Sequence, residues 1–225
     1  WYCKSVGAFP HDLAHSNQAP PAVALYRRIL AAQRDHSVTI VVVGWLTNMA
    51  ELLDSGPDQY SALPGRELVK AKVKELVSMG GTWPNSPKDE GEYNFTMDRP
   101  AAQKVIRDWP GQIMFTGLGK DVMTGGRLVA QGPRKNPVPA FYRNFLEANQ
   151  VSNRSSWDLI AVLYAVRGLS DYFTAVSNGG CVNQEDGSNR WIAGIPSNHA
   201  YLAYRMPPTE LAAVIEDLLL TPPSG

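Results

Sequence analysis

Residues Ser37 to Gly44 read SVTIVVVG, an unbroken and mostly β-branched run closed by a glycine. β-Branched side chains are stiff at χ1 and pack well on a pleated surface. A short run that is apolar on both faces suits a central strand of a parallel sheet, where both faces are covered. Parallel neighbours cannot be joined by a tight hairpin; they need crossovers, usually helices. This segment alone therefore predicts a chain in which strands and helices alternate.

The flanking sequence agrees. Over residues 20–34, Val23, Tyr26, Ile29 and Leu30 recur at helical spacing, with Leu25 beside them. Thr47–Leu53 and Gly65–Lys72 predict short helices, and Lys74–Gly80 a second strand ending in Gly80-Gly81. Asp98 is placed to cap a helix that carries Pro100 in its first turn and runs to Trp109. Gln112–Thr116 predicts a third strand, Pro139–Ala148 and Ser155–Leu169 helices, and His199–Arg205 a late strand. Tyr172–Ala193, rich in Gly, Asn and Asp, predicts a hairpin or lid, and Thr209–Leu220 a final amphipathic helix. The expectation is an α/β fold with a mostly parallel sheet flanked by helices. It forms one domain over residues 1–225, with 1–20 as an irregular lead-in and 220–225 as a tail.

Composition narrows the function. Lys+Arg and Asp+Glu are both 21, so the formal net charge is zero. A general nucleic-acid binder carries a basic excess, and none is present. No apolar run is long enough to span a bilayer, so no membrane partner is expected. Trp1–Pro10 has neither an initiator Met nor the apolar segment of a signal peptide, and the chain reads as processed, truncated or a fragment. Cys3 and Cys181 could pair only if the fold brings them together. Asn94-Phe95-Thr96 and Asn153-Arg154-Ser155 match the glycosylation pattern, which is frequent by chance, so the compartment stays open. There is no GxSxG, P-loop, HExxH or GxGxxG, and the four histidines form no ligand pattern.

Ligands of parallel α/β sheets sit at the carboxyl ends of the strands. Three segments there or at helix starts carry polar residues, and each also has a purely structural reading. Val43-Gly44-Trp45-Leu46-Thr47-Asn48 follows the first strand; Thr47 or Asn48 could simply cap the next helix. Gly80-Gly81 to Glu92-Tyr93-Asn94 encloses a long loop with Asn85 and Ser86, and long loops in compact domains are often functional. Glu92 and Asn94 are expected in irregular backbone. Ser155-Ser156-Trp157-Asp158 opens an apolar helix, where Ser155 and Asp158 have the spacing of a capping box.

Taken in order, these segments resemble the nucleoside hydrolases of the inosine–uridine-preferring type. SVTIVVVGWLTNMAELL resembles that family's strand followed by G-x-L-T-N. LVSMGG and then EYN resemble its M-G-G and E-(aromatic)-N pair, DRPAAQKVI resembles its D-P-x-A-A helix, and SSWDLIAVLYAV resembles the late segment with Asp at a helix start. The resemblance implies hydrolysis of the N-glycosidic bond of ribonucleosides through an oxocarbenium-like transition state. It also implies a calcium ion that holds the ribose diol and a water activated by an Asp. By position, Asp158 resembles the late calcium ligand and Val43 would offer its main-chain carbonyl. Glu92 and Asn94 would bind ribose hydroxyls. Asn85 resembles the loop Asn, with Ser86 competing for that role. Trp157 stands where many members have His, which suggests stacking on the base or a structural part.

One departure matters. The family opens with a D-x-D-x-x-x-D-D stretch that supplies the general base and most calcium carboxylates, and nothing like it occurs here; Asp12 is isolated. The implied fold is thus a nucleoside hydrolase-like, Rossmann-like sheet that is N-terminally incomplete. Asp158 and one carbonyl are too few for calcium, which takes roughly six to eight oxygens. A sheet lacking its first strands exposes an apolar edge, so a second chain or a second copy is expected to cover it. The alternative is a non-catalytic binding or structural module on the same scaffold.

Overall fold

The computed structural model describes residues 9–13, 15–87, 89–133 and 136–221. Cys3 lies outside them, while Cys181 is a buried free thiol. The chain divides into two compact units. Of the described residues, the larger comprises those within 20–118 and 161–203; the other comprises those within 119–160, from 204 to 221, and before Pro20.

The larger unit begins with α1 (Ala22–Ala31), β1 (Val38–Val42), α2 (Thr47–Asp54), α3 (Gly65–Lys72) and β2 (Val73–Ser78). It continues through α4 (Tyr93–Met97), α5 (Arg99–Asp108) and β3 (Gln112–Phe115). Its strands belong to a five-stranded sheet in the order β1-β2-β3-β9-β6, where β6 is Phe173–Val176 and β9 is His199–Tyr204. The β1–β2, β2–β3 and β3–β9 pairings are all parallel. Between β6 and β9 stands an antiparallel hairpin of β7 (Gly179–Asn183) and β8 (Asn189–Ala193).

The β-branched run does form a parallel strand, but not a central one. Among the described residues β1 is the edge of its sheet, with only Ile40 fully buried. Side-chain type reports which faces are covered, and both faces of β1 are partly covered; it does not report whether a second hydrogen-bonding neighbour exists. The centre falls to β2 and β3, where Leu76, Val77, Ile113 and Phe115 are entirely shielded.

The core joins these strands to α2, α3 and α5 through Leu52, Leu68, Ala102 and Val105. Fully burying one such aliphatic side chain is worth about 1.5–3 kcal/mol. Arg27 of α1 is also buried, at 2% exposure. Its guanidinium pairs with Asp58 at 2.8 Å and donates to Ser55 Oγ and to the Ser61 and Leu63 carbonyls. One α1 side chain thereby fixes the loop that leads to α3.

The smaller unit holds β4 (Met123–Thr124) paired antiparallel with β5 (Arg154–Ser155), and the helices α6 (Gly126–Gln131), α7 (Pro137–Asn149) and α9 (Pro208–Leu220). Helix α8 (Trp157–Arg167) starts in this unit. Glu216 of α9 is buried and accepts a hydrogen bond from Gly125 N at 2.8 Å, which places a carboxylate at the start of α6. No helix among the described residues is long and apolar enough to cross a membrane.

Candidate functional site

The carboxyl end of β1 runs into the turn Val43-Gly44-Trp45-Leu46. Leu46 is buried in the core, while Val43 and Trp45 are 44% and 48% exposed. They border an open cleft of about 760 Å³ that Thr47, Asn48, Met97 and Asp98 also line. The N-cap position of α2 belongs to Leu46, and no side chain caps this helix. Neither Thr47 nor Asn48 is the expected cap, because both sit one residue or more too late. The Thr47 hydroxyl instead donates to Asp98 Oδ2. Asp98 Oδ1 accepts from Ala101 N at 3.2 Å and so caps α5 as expected. The beginnings of two helices are tied together at the floor of the cleft.

The second segment follows β2, the neighbour of β1. Glu92 lies in extended backbone as the N-cap of the short helix α4, whereas Asn94 is not in irregular backbone but inside that helix. Glu92 Oε2 accepts from Asn94 N at 3.0 Å and from Phe95 N and Gly81 N, each at 3.3 Å. The longer Glu side chain stands in place of the usual Ser or Asp and reaches across to the Gly81 amide as well as capping its own helix. Asn94 is buried, and its Nδ2 donates to the Met79 carbonyl at 3.0 Å. Its Oδ1 takes no hydrogen bond among the described residues. Close packing fixes this corner further. A Cβ on Gly80 would come within 2.4 Å of the Phe95 ring, and one on Gly117, after β3, within 2.0 Å of the Gly81 carbonyl.

In the loop between, Asn85 is exposed and its Oδ1 accepts from Trp191 N at 2.9 Å, leaving Nδ2 outward. Ser86 is different: its hydroxyl donates to Asn189 Oδ1 at 2.7 Å and accepts from Asn189 N at 3.1 Å, so it is fully engaged inside the protein. Between the two competitors, Asn85 is the residue with a donor to spare. Trp83 stacks on Tyr201, with centroids 5.0 Å apart, and Trp191 meets both edge-on.

Trp157 and Asp158 open α8 in the smaller unit. Ser155 is not part of a capping box with Asp158. It lies in β5, and its hydroxyl donates to the Lys120 carbonyl at 2.8 Å. Strand pairing with β4 has taken the residue that the spacing assigned to a cap. Asp158 has no structural bond of that kind. It is exposed at its surface, yet surrounding protein desolvates the carboxyl and raises its pKa, partly offset by the positive Arg154. Trp157 is held by its backbone: Gly119, at φ 123°, passes so close that a Cβ there would lie 2.6 Å from Trp157 Cα.

Val43, Asn85, Glu92 and Asn94 thus belong to one unit, at the ends of adjacent strands. Trp157 and Asp158 belong to the other. Among the described residues no group of three or more His, Cys, Asp or Glu side chains is placed to hold a metal ion. Calcium takes roughly six to eight oxygens, so Asp158 and the Val43 carbonyl do not make a calcium centre by themselves. One residue that matters here escapes pattern reading: Asn189 carries no motif, and only folding brings it beside Ser86.

A strand–helix alternation with polar loops at the carboxyl ends of parallel strands defines a class, and comparison names it. The sequence model of the inosine-uridine preferring nucleoside hydrolases matches residues 5–190, and the chain belongs to that family. Among solved structures, a plant nucleoside hydrolase, PpNRh1, superposes with a TM-score of 0.65 at 17% identity, over 97% of this chain and 72% of that one. The inosine-uridine preferring nucleoside hydrolase of Bacillus anthracis gives 0.59 at 16%, over 90% and 65%. The type III effector XopQ, complexed with adenosine diphosphate ribose, gives 0.55 at 16%, over 89% and 65%. The chain spans about two thirds of the length of these structures. At such identities the likeness is one of fold. No curated protein matches the chain in sequence.

Proposed function

We propose that this chain is a nucleoside hydrolase-like protein that receives the ribose of a nucleoside at the carboxyl ends of β1 and β2. The carrying observation is the Glu92–Asn94 corner. Three backbone amides fix one carboxylate oxygen of Glu92, and Met79 fixes the Asn94 amide. Polar side chains held this firmly lose little further freedom when they bind a ligand's hydroxyls, and that pre-organisation is what tight recognition needs. Asn94 Oδ1 and Asn85 Nδ2 offer an acceptor and a donor to a sugar, and Val43 and Trp45 give an apolar wall. The adenosine diphosphate ribose held by a relative of the same fold carries the same sugar.

The parent activity of such a site is hydrolysis of the N-glycosidic bond to ribose and base, in the family's chemistry with calcium. Among the described residues no calcium centre is composed, so no step is assigned to it. The second reading is a ribose-binding module without turnover on the same scaffold. One experiment separates the two. Inosine and uridine are titrated into the protein by calorimetry, and ribose release is followed with added calcium and with chelator. Binding with calcium-dependent release establishes a hydrolase. Binding without release establishes the module. Absence of binding in the folded chain rejects both. The apolar edge of β1 is assigned to a second copy of the chain or another polypeptide.

A further inference from the structure

The loop between β2 and α4 is held at both ends by a single distant element, the β7–β8 hairpin. At the near end stands Asn189, the first residue of β8 and completely buried. Its Oδ1 accepts from Thr82 N at 2.8 Å and from the Ser86 hydroxyl at 2.7 Å. Its Nδ2 donates to the Thr82 carbonyl at 2.9 Å, and its own backbone completes the frame: N donates to Ser86 Oγ and O accepts from Ser86 N at 2.9 Å. Two residues along, Trp191 N reaches the Pro84 carbonyl and Asn85 Oδ1. At the far end stands Gly187, in the hairpin turn. It packs so tightly on the residue before Glu92 that a Cβ on Gly91 would lie 2.6 Å from the Gly187 carbonyl carbon. A Cβ on Gly187 would itself lie 2.7 Å from Thr96 Cγ2, at a φ of 88° that side chains rarely adopt. The turn is stapled internally by Asn183, whose Nδ2 donates to the Gly187 and Ser188 carbonyls. Asp186 Oδ1 accepts from Ser188 N.

The arrangement is asymmetric. The loop carries two of the residues assigned to the sugar, Asn85 and Glu92, and the hairpin contributes groups that hold the loop. A buried amide whose oxygen takes two hydrogen bonds and whose nitrogen gives one, all with one segment, dictates where that segment lies, because shifting the segment leaves polar groups unpaired at about 1–3 kcal/mol each. We infer that the β7–β8 hairpin is the template of the ribose loop and that Asn189 is its positioning residue, setting nucleoside affinity without touching the nucleoside. This rests on the reading that the loop receives a nucleoside.

The test compares the wild-type chain with Asn189→Ala and, as a gentler variant that keeps the hairpin intact, Ser86→Ala. Amide hydrogen exchange is read by mass spectrometry over residues 79–97 and over β1 and β3, and inosine affinity by calorimetry. The expected result is exchange at residues 82–92 faster by tenfold or more in N189A, with β1 and β3 unchanged. Inosine affinity should fall at least tenfold in N189A, with S86A intermediate in both. Unchanged loop exchange in N189A overturns the template. Faster loop exchange with unchanged inosine affinity overturns the positioning role while the nucleoside reading stands. A wild-type chain with a protected loop that fails to bind inosine rejects the nucleoside reading itself, and the positioning role with it.

Discussion

Single residues in this protein carry two duties that sequence shows only one of. Glu92 was recognisable as a polar residue beside an aromatic, but its carboxylate also caps α4 and reaches the Gly81 amide. His199 is a sharper case, since no pattern singled it out. It is mostly shielded, its Nδ1 accepts from Cys181 N at 3.1 Å, and the Ile106 backbone lies within bonding reach of the same ring. Burial depresses its pKa below the ordinary value near 6.5, with the Ile106 contact pulling the other way. The folded state therefore prefers the neutral ring. Its contribution is intact above pH 6.5 and is lost progressively as pH falls below that value toward the folded pKa. Glu75 and Asp158 oppose this slope, because desolvation raises their carboxyls. Arg107 of the neighbouring cleft stays charged throughout. Urea unfolding of the wild type and of His199→Gln between pH 5 and 7.5 is expected to show a steeper acid-side loss in the wild type. Parallel curves would show that His199 is not the titrating group.

At the scale of elements, the corner between β2, β3 and α4 depends on glycines that leave no room. Gly117 lies against the Gly81 carbonyl and the Trp83 ring, and both neighbours are constrained: Gly81 by Glu92, Trp83 by its stack on Tyr201. A methyl group there cannot be accommodated by a side-chain rotation, because the first obstacle is backbone. Gly117→Ala is expected to cost about 1–3 kcal/mol, the range for forced overpacking, and to lower the melting temperature accordingly. Gly44→Ala is the control, since a Cβ there meets nothing within 4 Å. Equal stability of the two variants in thermal unfolding would refute the tight corner.

For the whole molecule, the edge position of β1 has a consequence in solution. Its outer hydrogen-bonding groups have no strand neighbour among the described residues, and Val38, Val41 and Val42 beside them are only partly buried. Unblocked edges of this composition invite pairing with another chain, and natural edges are blunted with charge, Lys above all. Sedimentation velocity across a hundredfold concentration range is expected to show self-association that Thr39→Lys, a charge on this edge, reduces. A monomer at every concentration in the wild type would remove the case for a covered edge.

Much of this protein was legible before folding. The strand of residues 38–42, the helix of 65–72, the Asp98 cap and the late hairpin are set by local properties: side-chain branching, the 3.6-residue period, a carboxylate at a helix start, and turn residues. The family motifs were legible because they are short and local too. Tertiary structure decided everything that depends on a distant partner. It put the most strand-like run at an edge, drew Ser155 into a strand rather than a cap, wound Asn94 into a helix capped by Glu92, and set Asn189 against a loop more than a hundred residues earlier. Propensity and spacing describe a residue's own backbone. A buried polar group is satisfied by whichever segment the packed core brings to it, and that choice is made only when the core forms.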